Sequence, residues 1–125
     1  MFKAPPEIGT ELFARIPDQY RKSGQLSPER ISAGKGSLKT DCYIEGPAFD
    51  QEGNLYIVDI AFGLIYQINP QGIIKLLVEY DGEPNGLKIH QDGRIFVADH
   101  KNGVMLLDPH SGTIKPLIER YKTES

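Results

Sequence analysis

The apolar positions of this chain fall in short runs, broken by turn residues, and the pattern is written twice. In the first copy the runs are Gly46 to Phe49, Leu55 to Asp59, Leu64 to Ile68 and Ile73 to Glu79. In the second they are Gly86 to His90, Arg94 to Asp99, Val104 to Leu107 and Ile114 to Ile118. Sliding the chain by about forty residues, a spacing typical of propeller blades and some helical repeats, lays Gly46 on Gly86, Gly53 on Gly93, Asp59 on Asp99 and Gly63 on Gly103. Runs this short, rich in β-branched and aromatic residues, are strands rather than helices. Gln51-Glu52-Gly53-Asn54 and Gln91-Asp92-Gly93-Arg94 carry the glycine that a tight hairpin needs. Each copy therefore predicts a four-stranded antiparallel meander.

Leu55-Tyr56-Ile57-Val58 and Val104-Met105-Leu106-Leu107 are nearly continuous in apolar character, where a sheet with one wet face would alternate. Such strands are expected to be buried on both faces, as in a propeller blade held between neighbours. A two-sheet sandwich explains the strands but not the repeat. The fold class is thus all-β, a β-propeller of which this chain holds about two blades. The expected organisation is an N-terminal strand and polar loop over residues 1–42, a first blade over 43–80 and a second over 81–125. Thr10 to Ile16 reads as a strand or a helical turn ended by Pro17, and Asp18 to Lys39 as a long polar loop.

Composition narrows the function classes. Fourteen Lys and Arg against 17 Asp and Glu leave a net charge of −3, with no electrostatic footprint for nucleic acid. The single Cys42 rules out an internal disulfide and a cysteine metal cluster. No stretch approaches the roughly 18 apolar residues of a membrane span, and the N-terminus lacks a signal-peptide core, so a cytoplasmic protein without a membrane partner is expected. Two blades cannot close a ring, which takes four to eight. Either the chain is a fragment, the reading favoured here, or several chains assemble. Glu119 to Ser125 resembles an inter-blade connection, and an open edge after Ile118 is an aggregation hazard.

The repeat places Glu45 and Asn85 at equivalent positions, each just before a glycine that opens a first strand. In a propeller that position lies near the mouth of the central channel. A carboxylate and an amide carbonyl are ligands for a hard cation, but calcium takes six to eight oxygens. Turn residues capping a strand are the competing reading. Asp59 and Asp99 read as strand-end hydrogen-bonding residues. His90, His100 and His110 fall in separate turns and read as surface histidines rather than a metal site. Asp108, His110 and Ser111 have the residue types of a triad but crowd into one turn. Gly34-Lys35-Gly36-Ser37 lacks phosphate-loop spacing, and Lys35 and Lys39 read as solvated charges. Tyr43, Phe62 and Tyr66 could either shape a substrate entrance or pack.

Glu45-Gly46-Pro47-Ala48-Phe49-Asp50 with Gly53-Asn54-Leu55-Tyr56, and Glu83-Pro84-Asn85-Gly86-Leu87 with Asp92-Gly93-Arg94, resemble the senescence-marker-protein/gluconolactonase/lactonase family, the regucalcin-like group. The resemblance runs from about Thr10 to Glu119. It implies a six-bladed propeller whose N-terminal strand, here Thr10 to Ile16, completes the last blade. It implies that Glu45 binds a central divalent metal, Ca²⁺ above Zn²⁺ or Mg²⁺, and that Asn85 contacts metal or substrate. It also implies a hydrolase acting on a lactone, such as a sugar-acid lactone. The family's second metal-binding asparagine and its general-base aspartate lie in later blades missing from this chain, so no catalytic residue is assigned and the chain alone is expected to be inactive. A non-catalytic propeller scaffold is the alternative.

Overall fold

The computed structural model describes residues 2–117. It contains eight strands in two sheets, each with its strands in sequence order. The first sheet comprises β1 (Ile44–Phe49), β2 (Leu55–Asp59), β3 (Leu64–Ile68) and β4 (Ile74–Glu79). The second comprises β5 (Pro84–Ile89), β6 (Ile95–Asp99), β7 (Gly103–Asp108) and β8 (Thr113–Pro116). Every pairing is antiparallel. Two consecutive meanders, one behind the other, form the arrangement of adjacent propeller blades. The expected fold class is borne out. The anticipated run to Ile118 ends in the structure at Pro116, and Ile118 with the presumed connection Glu119 to Ser125 lies outside the described residues.

One face of the first sheet packs on one face of the second. Tyr56, Val58 and Ile65 meet Ile95, Val97, Met105 and Leu107, with Leu87, Ile89 and Ile114 at the margin. Burying a large apolar side chain of this kind contributes about 1.5–3 kcal/mol, so this seam is what holds the two meanders together. The opposite face of the first sheet, bearing Ile57, Leu64, Tyr66 and Ile68, is covered by Ala14, Ile16 and Tyr20 from the N-terminal segment. The Tyr20 and Tyr66 rings lie 5.6 Å apart, tilted by 55°.

Expectations differ from the structure in three places. Residues 10–16 form neither strand nor helix; they run as irregular chain whose only deeply buried member is Ile16. The supposed loop after Asp18 contains a 3-10 turn, Asp18–Tyr20, and a short helix α1, Pro28–Ser32. Ser27 caps α1 by accepting from the Arg30 amide, with proline at the first turn, a favoured start. Finally, β7 is buried on one face only: Met105 and Leu107 are buried while Val104 is 47% exposed. Its apolar run does not signal two covered faces here, because nothing among the described residues packs on the outer side of the second sheet.

Candidate metal and substrate site

Glu45 and Asn85 are each the second residue of their strand, not the residue before it. Both stand at irregularities in the ladder. Between Glu45, opposite Val58, and Ala48, opposite Tyr56, β1 carries two residues against one on β2. Between Pro84, opposite Asp99, and Gly86, opposite Ala98, Asn85 is the extra residue of β5. A β-bulge re-aims side chains, and bulges are over-represented beside active sites.

The two bulges meet. β1 and β5 pack side by side, and Gly46, at φ 56°, lies so close to β5 that a Cβ would stand 2.9 Å from the Asn85 carbonyl oxygen and 3.0 Å from the Gly86 Cα. The glycine of the E-G pair therefore has a steric reason. Only glycine allows the left-handed backbone and the close approach together, and that approach brings the Glu45 and Asn85 positions onto neighbouring strands. Both side chains are half-buried, and among the described residues neither has a hydrogen-bond partner. A carboxylate and an amide left open in this way fit two positions of an oxygen-ligand shell. Among the described residues no three His, Cys, Asp or Glu side chains converge.

The same end of the sheets holds the two repeat aspartates, both buried. Asp99 is saturated. Its Oδ1 accepts from the amides of Glu83, Lys101 and Asn102, and its Oδ2 from the Tyr80 hydroxyl at 2.6 Å and the Asn102 side chain. Burial pushes this carboxyl up, but the Tyr80 hydroxyl and the amides outweigh burial and hold it below the usual carboxylate range. The Asp59 Oδ1 accepts from the amides of Ala61 and Phe62, while its Oδ2 has no partner, nor has the buried Tyr66 hydroxyl. Burial lifts the Asp59 carboxyl to about 6 against the backbone amides of Phe62, Tyr43 and Ala61. Sequence reading made Asp59 and Asp99 alike; it missed that only one is satisfied. The signal was present, since Thr40 stands where the repeat has Tyr80, and Phe62 where it has Asn102.

Other sequence candidates disperse. His90, His100 and His110 are exposed. His90 and His110 line one groove of about 510 Å³ between the sheets, whereas His100 lies at the other end, 2.7 Å from the Lys35 ammonium. Lys35 is therefore not simply solvated. Asp108 accepts from the backbone amides of His110 and Ser111, which is a turn motif and not a triad. Gly34 to Ser37 run from the turn that ends α1 into irregular chain. Tyr66 is fully buried and cannot shape an entrance, while Tyr43 remains exposed near Glu45.

Fold and site together define a chain of propeller-type blades that presents oxygen donors from bulged first strands. No protein-family model matches it. It is 34% identical over 92 residues to the protein named lactonase drp35 of Staphylococcus aureus strain MW2, a stretch covering 68% of this chain and 28% of that protein. Its identity to the lactonase drp35 of strain MRSA252 is 32% over 93 residues, covering 69% and 29%. With the lactonase drp35 of Staphylococcus saprophyticus it is 27%, again covering 69% and 29%. These relatives bear out the resemblance in the sequence: the chain belongs to the gluconolactonase-like lactonase family. The matched stretch is less than a third of the length of those relatives.

Proposed function

We propose that the chain forms part of a metal-dependent hydrolase that opens a lactone or related ester, with Glu45 a ligand of the metal and Asn85 a ligand of metal or substrate. The observation that carries the proposal is the meeting of the two bulges at Gly46, together with the lactonase names of the relatives. A divalent cation at such a site polarises the substrate carbonyl and lowers the pKa of a bound water. Calcium suits the carboxylate and amide best, ahead of Zn²⁺ or Mg²⁺. Glu45 brings negative charge, and Asn85 brings a neutral donor able to accept from a substrate hydroxyl or bind the ion. Gly46 holds the two strands at contact distance, so their spacing does not depend on a flexible loop. A sugar-acid lactone is the substrate class that the names favour, and a cytoplasmic location accords with the composition. Among the described residues, no helix is long and apolar enough to cross a membrane.

With one carboxylate and one amide in place, the described residues supply too few oxygens for a working centre by themselves. Lactone hydrolysis at or below the uncatalysed rate is therefore expected of the chain. Calorimetric titration with calcium, comparing the wild-type chain with Glu45→Gln, tests the ligand role. Weak heat in the millimolar range, lost in Glu45→Gln, is the expected result; identical isotherms would remove Glu45 from the site. Lactonase turnover by the isolated chain, abolished by Glu45→Gln, would show that the chain is complete enough to catalyse. A scaffold without catalysis would bind calcium no better than Glu45→Gln does.

A further inference from the structure

Between Ile16 and Ile44 the chain makes an excursion with a firm neck and a loosely held tip. At the neck the Lys22 amide donates to the Asp41 carbonyl and the Gly24 amide to the Leu38 carbonyl, both at 2.9 Å. The Arg21 guanidinium donates to both carboxylate oxygens of Asp41, at 3.3 and 3.2 Å, and Leu26 is buried. An excursion whose ends are pinned together in this way is an Ω-loop. The tip, residues 27–37, is built differently. It contains α1, and none of its residues is buried. The amides of Ile31, Ala33, Gly34 and Lys35 donate to the carbonyls of Ser27, Glu29, Ile31 and Arg30. Among the described residues no backbone hydrogen bond joins the tip to either sheet.

Side chains hold the tip down. The Arg30 guanidinium donates to the Ala61 carbonyl and stands 3.5 Å from the Asp81 carboxylate, and the Lys35 ammonium lies 2.7 Å from Nδ1 of His100. Ala61 is in the turn after β2, Asp81 in the segment between the sheets, and His100 in the turn after β6. The first strands begin beside these turns, since the Ile60 amide donates to the Tyr43 carbonyl and the His100 amide to the Glu83 carbonyl. The tip thus leans across both sheets at the end that carries Glu45 and Asn85. A hollow of about 330 Å³ separates it from the second sheet, walled by Ser27, Glu29 and Arg30 on one side and by Asp81, Glu83 and Lys101 on the other.

We propose that residues 27–37 form a lid, latched by Arg30 and Lys35 and hinged at the neck, that opens and closes this hollow beside the entrance to β5. The contrast between neck and tip carries the inference. Lifting the tip breaks its side-chain links to the sheets but no backbone bond to them, and it exposes no buried residue of its own. Segments with few buried apolar contacts open at the low end of a protein's local stabilities, and lids are drawn from that end. The neck keeps its two backbone bonds, its ion pair and Leu26, so the tip moves as a unit about a fixed base. Arg30 is the stronger latch, a charged donor only 16% exposed, while the Lys35–His100 contact is exposed and weaker. The lid rests on the hydrolase reading only in making the hollow a way in for substrate.

Thiol labelling of the full chain with a neutral maleimide tests the lid. In a Cys42→Ser background, Glu83→Cys puts a thiol on the wall of the hollow, on a backbone pinned by the Glu83 amide to Asp99 and by its carbonyl to the His100 amide. Lys101→Cys is a second placement on the same wall, and Glu52→Cys, in the turn at the opposite end of the first sheet, is the control. Arg30→Met should speed labelling on the wall by about tenfold and Lys35→Met by about twofold, with unchanged circular dichroism and no change at the control. Removing a cation near a thiol by itself disfavours the thiolate and slows labelling, so acceleration reports opening. Labelling at both wall placements that neither latch variant alters overturns the proposal. So does an equal rise on the wall and at the control, which reports a general loosening of the fold. None of these outcomes depends on calcium or on lactone turnover, so the lid and the proposed hydrolase site fail separately.

Discussion

Asp59 and Asp99 occupy one position of a repeated unit and live in opposite electrostatic circumstances. Both end the second strand of their sheet, and both are buried. Asp99 has donors on both oxygens, supplied largely by the segment joining the sheets, from Tyr80 to Glu83, and by Asn102. Asp59 has a donor-less oxygen: Thr40 and Phe62 stand where the repeat has Tyr80 and Asn102, and neither donates to it. A repeated sequence position fixes where a backbone puts a carboxylate. Whether that carboxylate is satisfied depends on the particular side chains brought to it, here Tyr80 from the segment between the sheets and Asn102 from the turn after β6. A buried acceptor without a partner costs about 1–3 kcal/mol, and more if charged.

Removing each carboxylate should break the comparison most sharply. Asp99→Ala strands three backbone amides and the Tyr80 hydroxyl, and a loss of about 3–5 kcal/mol in urea unfolding is expected. Asp59→Ala strands two amides but also removes the orphan oxygen, so a loss below about 2 kcal/mol is expected. Equal losses would mean that the two sites are equally satisfied in solution.

The pH dependence separates them further. The Asp59 carboxyl is raised in the folded state from 3.8 to about 6. Its contribution to stability is therefore fully present below the ordinary carboxylate pKa and lost as pH climbs through about 6. That loss amounts to about 3 kcal/mol at most. The Asp99 carboxyl is lowered, so its contribution is present above the ordinary range and lost as pH falls. Asp59→Asn should accordingly raise the melting temperature at pH 8 and do little at pH 4, whereas Asp99→Asn should lower it at pH 8. Melting curves of both variants at the two pH values decide the matter. A stabilising effect of Asp59→Asn at pH 4 that vanishes at pH 8 would reverse the assignment.

The two tyrosines extend the comparison, and the smallest effect of all is expected at Tyr66. Tyr80→Phe deletes a donor to a buried carboxylate and should cost about 1.5–3 kcal/mol. Tyr66→Phe deletes a hydroxyl with no partner and should be neutral or slightly stabilising. A marked loss on Tyr66→Phe, measured by chemical unfolding, would show that its hydroxyl is satisfied by a bound water.

Much of the fold was legible because strands are local. The turn glycines Gly53 and Gly93, the runs Leu55 to Asp59 and Leu64 to Ile68, and the forty-residue recurrence marked both meanders in nearly their observed bounds. The bulges at Glu45 and Asn85 were not legible. They depend on register against β2 and β6, which turn length and cross-strand packing decide. The irregular N-terminal segment misled for a related reason. Thr10 to Ile16 has strand-like composition but no paired neighbour among the described residues, and a strand exists only with a partner for its backbone groups.

The sequence by itself determined the repeated unit, its all-β character and the equivalence of Glu45 with Asn85, because hydrophobic period and turn chemistry act over a few residues. Only the tertiary structure decided that Gly46 would press β1 against the Asn85–Gly86 backbone. It likewise decided that Tyr80 would reach Asp99 while Asp59 and Tyr66 kept unpaired groups. Those outcomes depend on side chains far apart in the chain meeting at contact distance, and no local pattern encodes such meetings.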